Sequence, residues 1–154
     1  MTGQVITVGV DGSRSSADAL RFAIDEARLR GATVRAVTSW QLDTVYAGYG
    51  GALLPEESAA HEKAATELQD RAIDSVVGDL QDVPLVERRV VRGHPGHALV
   101  ELSSDAALLV VGTEHKGVVK RAVVGSTSAY CSRYSRIPIV VVPYVDVSVH
   151  GLAD

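Results

Sequence analysis

The chain has 154 residues, 46% hydrophobic and 22% charged, with 15 Lys plus Arg against 19 Asp plus Glu for a net charge of −4. That length suits one domain, residues 1–154, with a core of its own, and that composition excludes a disordered polymer. The acidic balance argues against non-specific binding to nucleic acid or an anionic membrane, and the single cysteine, Cys131, excludes an internal disulfide framework and a Cys-rich zinc site.

In chain order, the first apolar run is 5–10, Val-Ile-Thr-Val-Gly-Val, read as strand 1. A helical pattern follows from Ser15 to Arg30, with Leu20, Ala23, Ile24 and Ala27 on one face, a capping box at 15–18 and a stop at Gly31. Strand 2 is expected over 33–38, and a second helix over 55–77 with Ala65, Leu68, Ala72, Ile73 and Val76 at helical spacing. Strand 3, at 85–91, alternates and carries charges, which suits a position near a sheet edge. Pro95 opens a third helix to Ser104. Strand 4 (107–111), a short helix (126–135) and strand 5 (137–142) complete the order β-α-β-α-β-α-β-α-β.

Such alternation implies an α/β fold, a doubly wound parallel sheet of five strands with helices on both faces. Right-handed crossovers leave few topologies, and strand order 3-2-1-4-5 is one of them. Ligands of these sheets bind beyond the C-terminal strand ends, where the winding reverses. Here that point lies between strands 1 and 4, directing attention to the residues after Val10 and after Val111.

Two loops meet that expectation. In 9–13, Gly-Val-Asp-Gly-Ser, Asp11 can accept hydrogen bonds from a ribose hydroxyl or hold a hydrated metal ion; the alternative is a turn and cap residue. In 112–117, Gly112 and Gly117 can let backbone N–H groups approach an anion, and Gly125-Ser126-Thr127 opens a helix whose N-terminus favours phosphate. Lys116, Lys120 and Arg121 add local positive charge. The alternative is a loop whose glycines turn the chain and whose Ser126 caps a helix. The long segment 41–54, with Tyr46 and Tyr49, reads either as a loop or dimer contact or as a Gly-hinged lid.

The spacing in the second loop resembles the universal stress protein family. Its hallmark is Gly, two residues, Gly, nine residues, then Gly followed by Ser or Thr. Gly112, Gly125 and Ser126 fall on three of those positions, and His115 stands in place of the second glycine. The resemblance extends over 8–13, 93–95, 105–112 and 138–143. It implies a Rossmann-like, flavodoxin-like fold and a homodimer formed through strand 5 and the extension 144–154. It also implies a stress-response binding module, with any ATP hydrolysis slow and secondary. By position, Asp11 would contact the ribose, Gly9 and Val10 the adenine side, with Thr38 and Ser39 at the end of strand 2. Gly112, Gly125, Ser126 and Thr127 would hold the phosphates. His115 either donates to a phosphate or occludes the β- and γ-phosphate space, and Glu114 adds a like charge. The ligand is expected to be ATP, with AMP, ADP and cyclic AMP as alternatives; whether Mg accompanies it stays open. Other members of the family bind no nucleotide and would serve as dimeric interaction proteins.

Other readings are weaker. No Walker A loop, dinucleotide fingerprint or nucleophile elbow is present, and no residue reads as a positioned general base. An adenylating enzyme of the wider superfamily is the third reading, carried only faintly by 11–15. His94 and His97 suit a helix start better than a metal pair. Cys131 suits a buried hydrophobe, and Trp40 either flanks the site or packs beneath 41–54. The absence of a signal-peptide pattern and of any long apolar run leads to a cytoplasmic expectation, without membrane or nucleic-acid partners.

Overall fold

The computed structural model describes residues 3–41, 55–114 and 125–144. The elements are β1 (Val5–Gly9), α1 (Arg14–Arg30), β2 (Thr33–Trp40), α2 (Pro55–Val77), β3 (Val86–Arg92), α3 (Pro95–Leu102), β4 (Leu108–Glu114), α4 (Ser126–Tyr134) and β5 (Ile139–Tyr144). The five strands form one parallel sheet in the order β3-β2-β1-β4-β5. The winding expected from the sequence is therefore the one observed, and β3 lies at an edge.

Strand alternation divides the core between the two faces. Ile6 and Val8 of β1, with Val34 and Ala36 of β2, pack against Leu20, Ile24 and Ala27 of α1 and Ile73 and Val76 of α2. Leu109 and Val111 of β4 and Val37 of β2 face the other way, against Leu99 of α3 and Cys131 of α4. Burial raises the Cys131 thiol to about 11, so at neutral pH it is an un-ionised core group.

Two local expectations are corrected. The cap of α1 is Ser13, not Ser15: Ser13 is extended (φ −75°, ψ 162°), and its Oγ accepts the Ser16 amide at 3.2 Å. Ser15 is already helical and buried. Strand β4 runs on through Gly112 and Thr113 to Glu114, which the sequence reading assigned to a loop. The reason is that β5 extends equally far, pairing Gly112 with Val142 and Glu114 with Tyr144. The helix stop at Gly31 is as expected. Its φ of 61° is left-handed, and the amides of Gly31 and Ala32 both donate to the Ala27 carbonyl.

Candidate functional site

A cavity of about 220 Å³ opens at the C-terminal ends of β1 and β4. Its floor is the end of β1, where Gly9, Val10 and Asp11 leave the sheet. Val37 and Ser39 of β2 form one wall with Pro95 and Leu99 of α3, and Gly112 and Thr127 close the side towards β4 and α4. The site therefore lies where the winding reverses.

Of the residues singled out in the sequence, Gly9, Val10, Asp11, Ser39, Gly112 and Thr127 line this cavity. Gly125 and Ser126 are exposed at the start of α4, immediately before Thr127. His115 lies outside the described residues, as do Lys116, Lys120, Arg121, Tyr46 and Tyr49. Thr38 does not line the cavity. Neighbouring residues of a strand point to opposite faces, so Ser39 and Thr38 cannot both present side chains to one wall. Thr38 is buried on the α2 side, where its hydroxyl accepts from Gln69 Nε2 at 2.9 Å.

The sequence reading missed the apolar wall of Val37, Leu99 and Val111, as well as Ser15 and Ser16, while Gln41, the first residue of the segment 41–54, does line the cavity. Val37 was within reach, since it shares a strand face with Ser39. Leu99 was not, because only the crossing of α3 over the sheet brings it there. Trp40 packs away from the cavity: its half-buried ring stacks on His61 of α2 at 5.9 Å, with the Arg92 guanidinium 5.7 Å from its centroid. His94 is the N-cap of α3, its Nδ1 accepting the His97 amide at 3.5 Å.

Asp11 is the charged side chain among the described lining residues. Partial burial would raise its pKa, but hydrogen bonds from the Ser13 hydroxyl and amide and the Ser16 hydroxyl prevail and hold it below the ordinary carboxylate value. The Ser13 amide reaches Oδ1 at 2.9 Å. Three helices begin at this cavity: α1 with Ser15 and Ser16, α3 with Pro95, and α4 with Thr127. None has an acidic residue in its first turn, whereas α2, which contributes nothing to the lining, has Glu56 and Glu57 there. Their N-terminal partial positive charges converge on a cavity whose described lining carries one carboxylate, Asp11, a set of dipoles that favours an anion.

The two glycines of the second loop have different causes. At Gly112 a Cβ would stand 2.4 Å from the Ser15 carbonyl oxygen, so the first turn of α1 packs where a side chain would be. At Gly125 the nearest atoms to such a Cβ would be 3.7 Å and 3.9 Å away. Among the described residues packing does not require glycine there, and no side chain caps α4. The Gly125 amide itself donates to Thr113 Oγ1 at 3.4 Å, so it is the amides that follow, in the first turn of α4, that an anion could meet. Among the described residues no three His, Cys, Asp or Glu side chains gather to hold a metal.

Residues 3–143 match the family model described as the Universal stress protein family. Universal stress protein Rv2005c of Mycobacterium tuberculosis is 34% identical over 136 residues, covering 88% of this chain and 44% of that protein. Universal stress protein Rv2623 of the same organism is 30% identical over 138 residues, with the same coverage. The chain thus spans about half the length of these curated relatives. Among solved structures, a universal stress protein in complex with cAMP is 27% identical, with a TM-score of 0.57 over 92% of this chain and 98% of that one. Universal stress protein UspA from Lactobacillus plantarum, 18% identical, has a TM-score of 0.64 over 92% of this chain and 99% of that one, a likeness of fold. In the described residues no helix is long and apolar enough to cross a membrane.

Proposed function

The chain belongs to the universal stress protein family, and from that premise we propose that it binds an adenine nucleotide, ATP foremost, in the cavity at the ends of β1 and β4. The observation that carries this reading is the convergence of three helix N-termini without first-turn acids on one cavity, with Asp11 as its charged side chain. The apolar wall of Val37, Leu99 and Val111 suits an adenine ring. Asp11, held ionised, suits the ribose hydroxyls as acceptor. The phosphates then run towards Gly125 and the first amides of α4, with Ser126 and Thr127 hydroxyls beside them. The cAMP complex of a relative supports an adenine nucleotide as ligand class.

In this reading the chain is a stress-response module of the cytoplasm that signals by occupancy, with Mg, when present, held by the phosphates. It works as a homodimer joined along β5, an edge strand, and the residues that follow it. No proton-transfer role is assigned to any lining residue.

The deciding experiment is release of bound nucleotide from the purified protein, then titration of stripped protein with AMP, ADP, ATP and cyclic AMP. Stoichiometric ATP, or saturable ATP binding that Gly125→Leu abolishes without lowering the melting temperature, supports the assignment. Binding unchanged in Gly125→Leu removes α4 from the phosphate site. No nucleotide and no titration signal leaves a dimeric interaction protein of the same fold.

A further inference from the structure

Beneath the cavity two polar side chains occupy positions in an aliphatic core. Gln69 of α2 is 1% exposed and Thr38 of β2 is 4% exposed, on the face that holds Val10, Ala36 and Ile73. Burying an amide and a hydroxyl there costs free energy unless each is hydrogen-bonded, and each is. Gln69 Nε2 has three acceptors in reach, Thr38 Oγ1 at 2.9 Å, the Arg89 carbonyl at 3.0 Å and the Ala36 carbonyl at 3.2 Å, and shares its two hydrogens among them, one in a three-centre bond. Two backbone carbonyls at one end of an amide require nitrogen there, since the amide oxygen cannot donate. With Thr38 Oγ1 accepting from Gln69, its own proton goes to the Val10 carbonyl oxygen, 2.6 Å away. The donor direction, Gln69 to Thr38 to Val10, follows from the partners alone.

This relay ends on the cavity wall. Val10 lies one residue past β1. Its amide still donates to the Val37 carbonyl at 2.9 Å, but the strand pairing stops at Gly9 opposite Val37. Among the described residues it is Thr38 that supplies the hydrogen bond to its carbonyl. The other edge of the same peptide, the Asp11 amide, donates to Ser16 Oγ at 3.3 Å. The Val10–Asp11 peptide plane is therefore held on both sides, and that plane sets the direction in which Asp11 enters the cavity.

We propose that Thr38 and Gln69 are positioning residues of the ligand site: without touching the ligand, they hold the Val10–Asp11 peptide, and so Asp11, through the Gln69–Thr38–Val10 relay. The inference rests on the cavity being the nucleotide site. It also makes α2 part of that site, although no residue of α2 lines the cavity.

Thr38→Val keeps the branched shape and deletes the hydroxyl, Thr38→Ser restores the hydroxyl, and Gln69→Met removes the amide at similar volume. Two readouts apply: the Val10 carbonyl-carbon and Asp11 amide-nitrogen resonances of unliganded protein, and AMP affinity by titration. Thr38→Val is expected to move both resonances and to weaken AMP about tenfold, the scale of one hydrogen bond. Thr38→Ser returns both to near the wild-type values, and Gln69→Met falls between. Unmoved resonances, wild-type affinity in Thr38→Val, or equal damage in Thr38→Ser overturns the proposal. If the wild type binds neither AMP nor ATP, the nucleotide reading fails by itself; the unliganded resonances then decide the relay alone, moved and rescued or unmoved. Should Thr38→Val not fold, Gln69→Met and Thr38→Ser carry the same comparison.

Discussion

Helices α1 and α4 both begin at the cavity, and their first turns are finished in opposite ways. At α1 the chain satisfies itself: Ser13 Oγ accepts the Ser16 amide, Asp11 Oδ1 accepts the Ser13 amide, and Ser16 Oγ accepts the Asp11 amide. Its first turn also presses on β4 so closely that Gly112 has no space for a side chain. Among the described residues no side chain caps α4, and none crowds the exposed Gly125. Helix ends within one fold leave the same orphan amides. Where the protein satisfies them, the end is structural; where it leaves them bare beside a cavity, a ligand can complete them.

The largest expected effect separates the two glycines. Gly112→Val drives a side chain into the backbone of Ser15 and should cost about 3 kcal/mol or more in urea unfolding, whereas Gly125→Ala should stay within about 0.5 kcal/mol. Equal costs at the two positions would show that the close approach of α1 to β4 is not what demands glycine. A smaller contrast concerns the caps. Ser13→Ala should lose about 1 kcal/mol, and Ser126→Ala, at the first helical position and not the cap, much less. A Ser126 loss as large as that of Ser13 would mean that α4 is closed by its own side chain after all.

The smallest effect is pH-dependent. The Asp11 carboxyl titrates below its ordinary value because the α1 cap hydrogen-bonds its ionised form. Its folded pKa is thus lower than its unfolded one. The stabilisation is complete above about pH 5 and is lost as pH falls through the carboxylate range to the folded value. The stability gap between wild type and Asp11→Asn should therefore narrow on acidification, read from urea midpoints. A gap independent of pH would detach Asp11 from the cap.

Much of this was legible in the residue order. The near-continuous apolar runs, Gly31 as a stop and Pro95 as a start all describe short-range geometry, and a βα alternation admits few windings. Period-two alternation also separates Ser39, with Val37, from Thr38, although the family resemblance had placed Thr38 and Ser39 together at the site. Gln69 carries a signal too, lying four residues from both Ala65 and Ile73 on the buried face of α2. Its polarity conceals it, because a buried glutamine becomes sensible only once its acceptors on β2 and β3 are known.

By itself the sequence determined the succession of elements, a parallel sheet of few possible windings and the end at which a ligand would sit, because propensity, capping and crossover handedness act over short stretches of chain. Only the tertiary structure decided why Gly112 is glycine, which hydroxyl caps α1, and how α2 reaches the floor of the cavity. Those answers depend on contacts between residues far apart in the chain, Ser15 against Gly112 and Gln69 against Thr38. Such contacts are set by how helices and strands pack, and no local pattern encodes them.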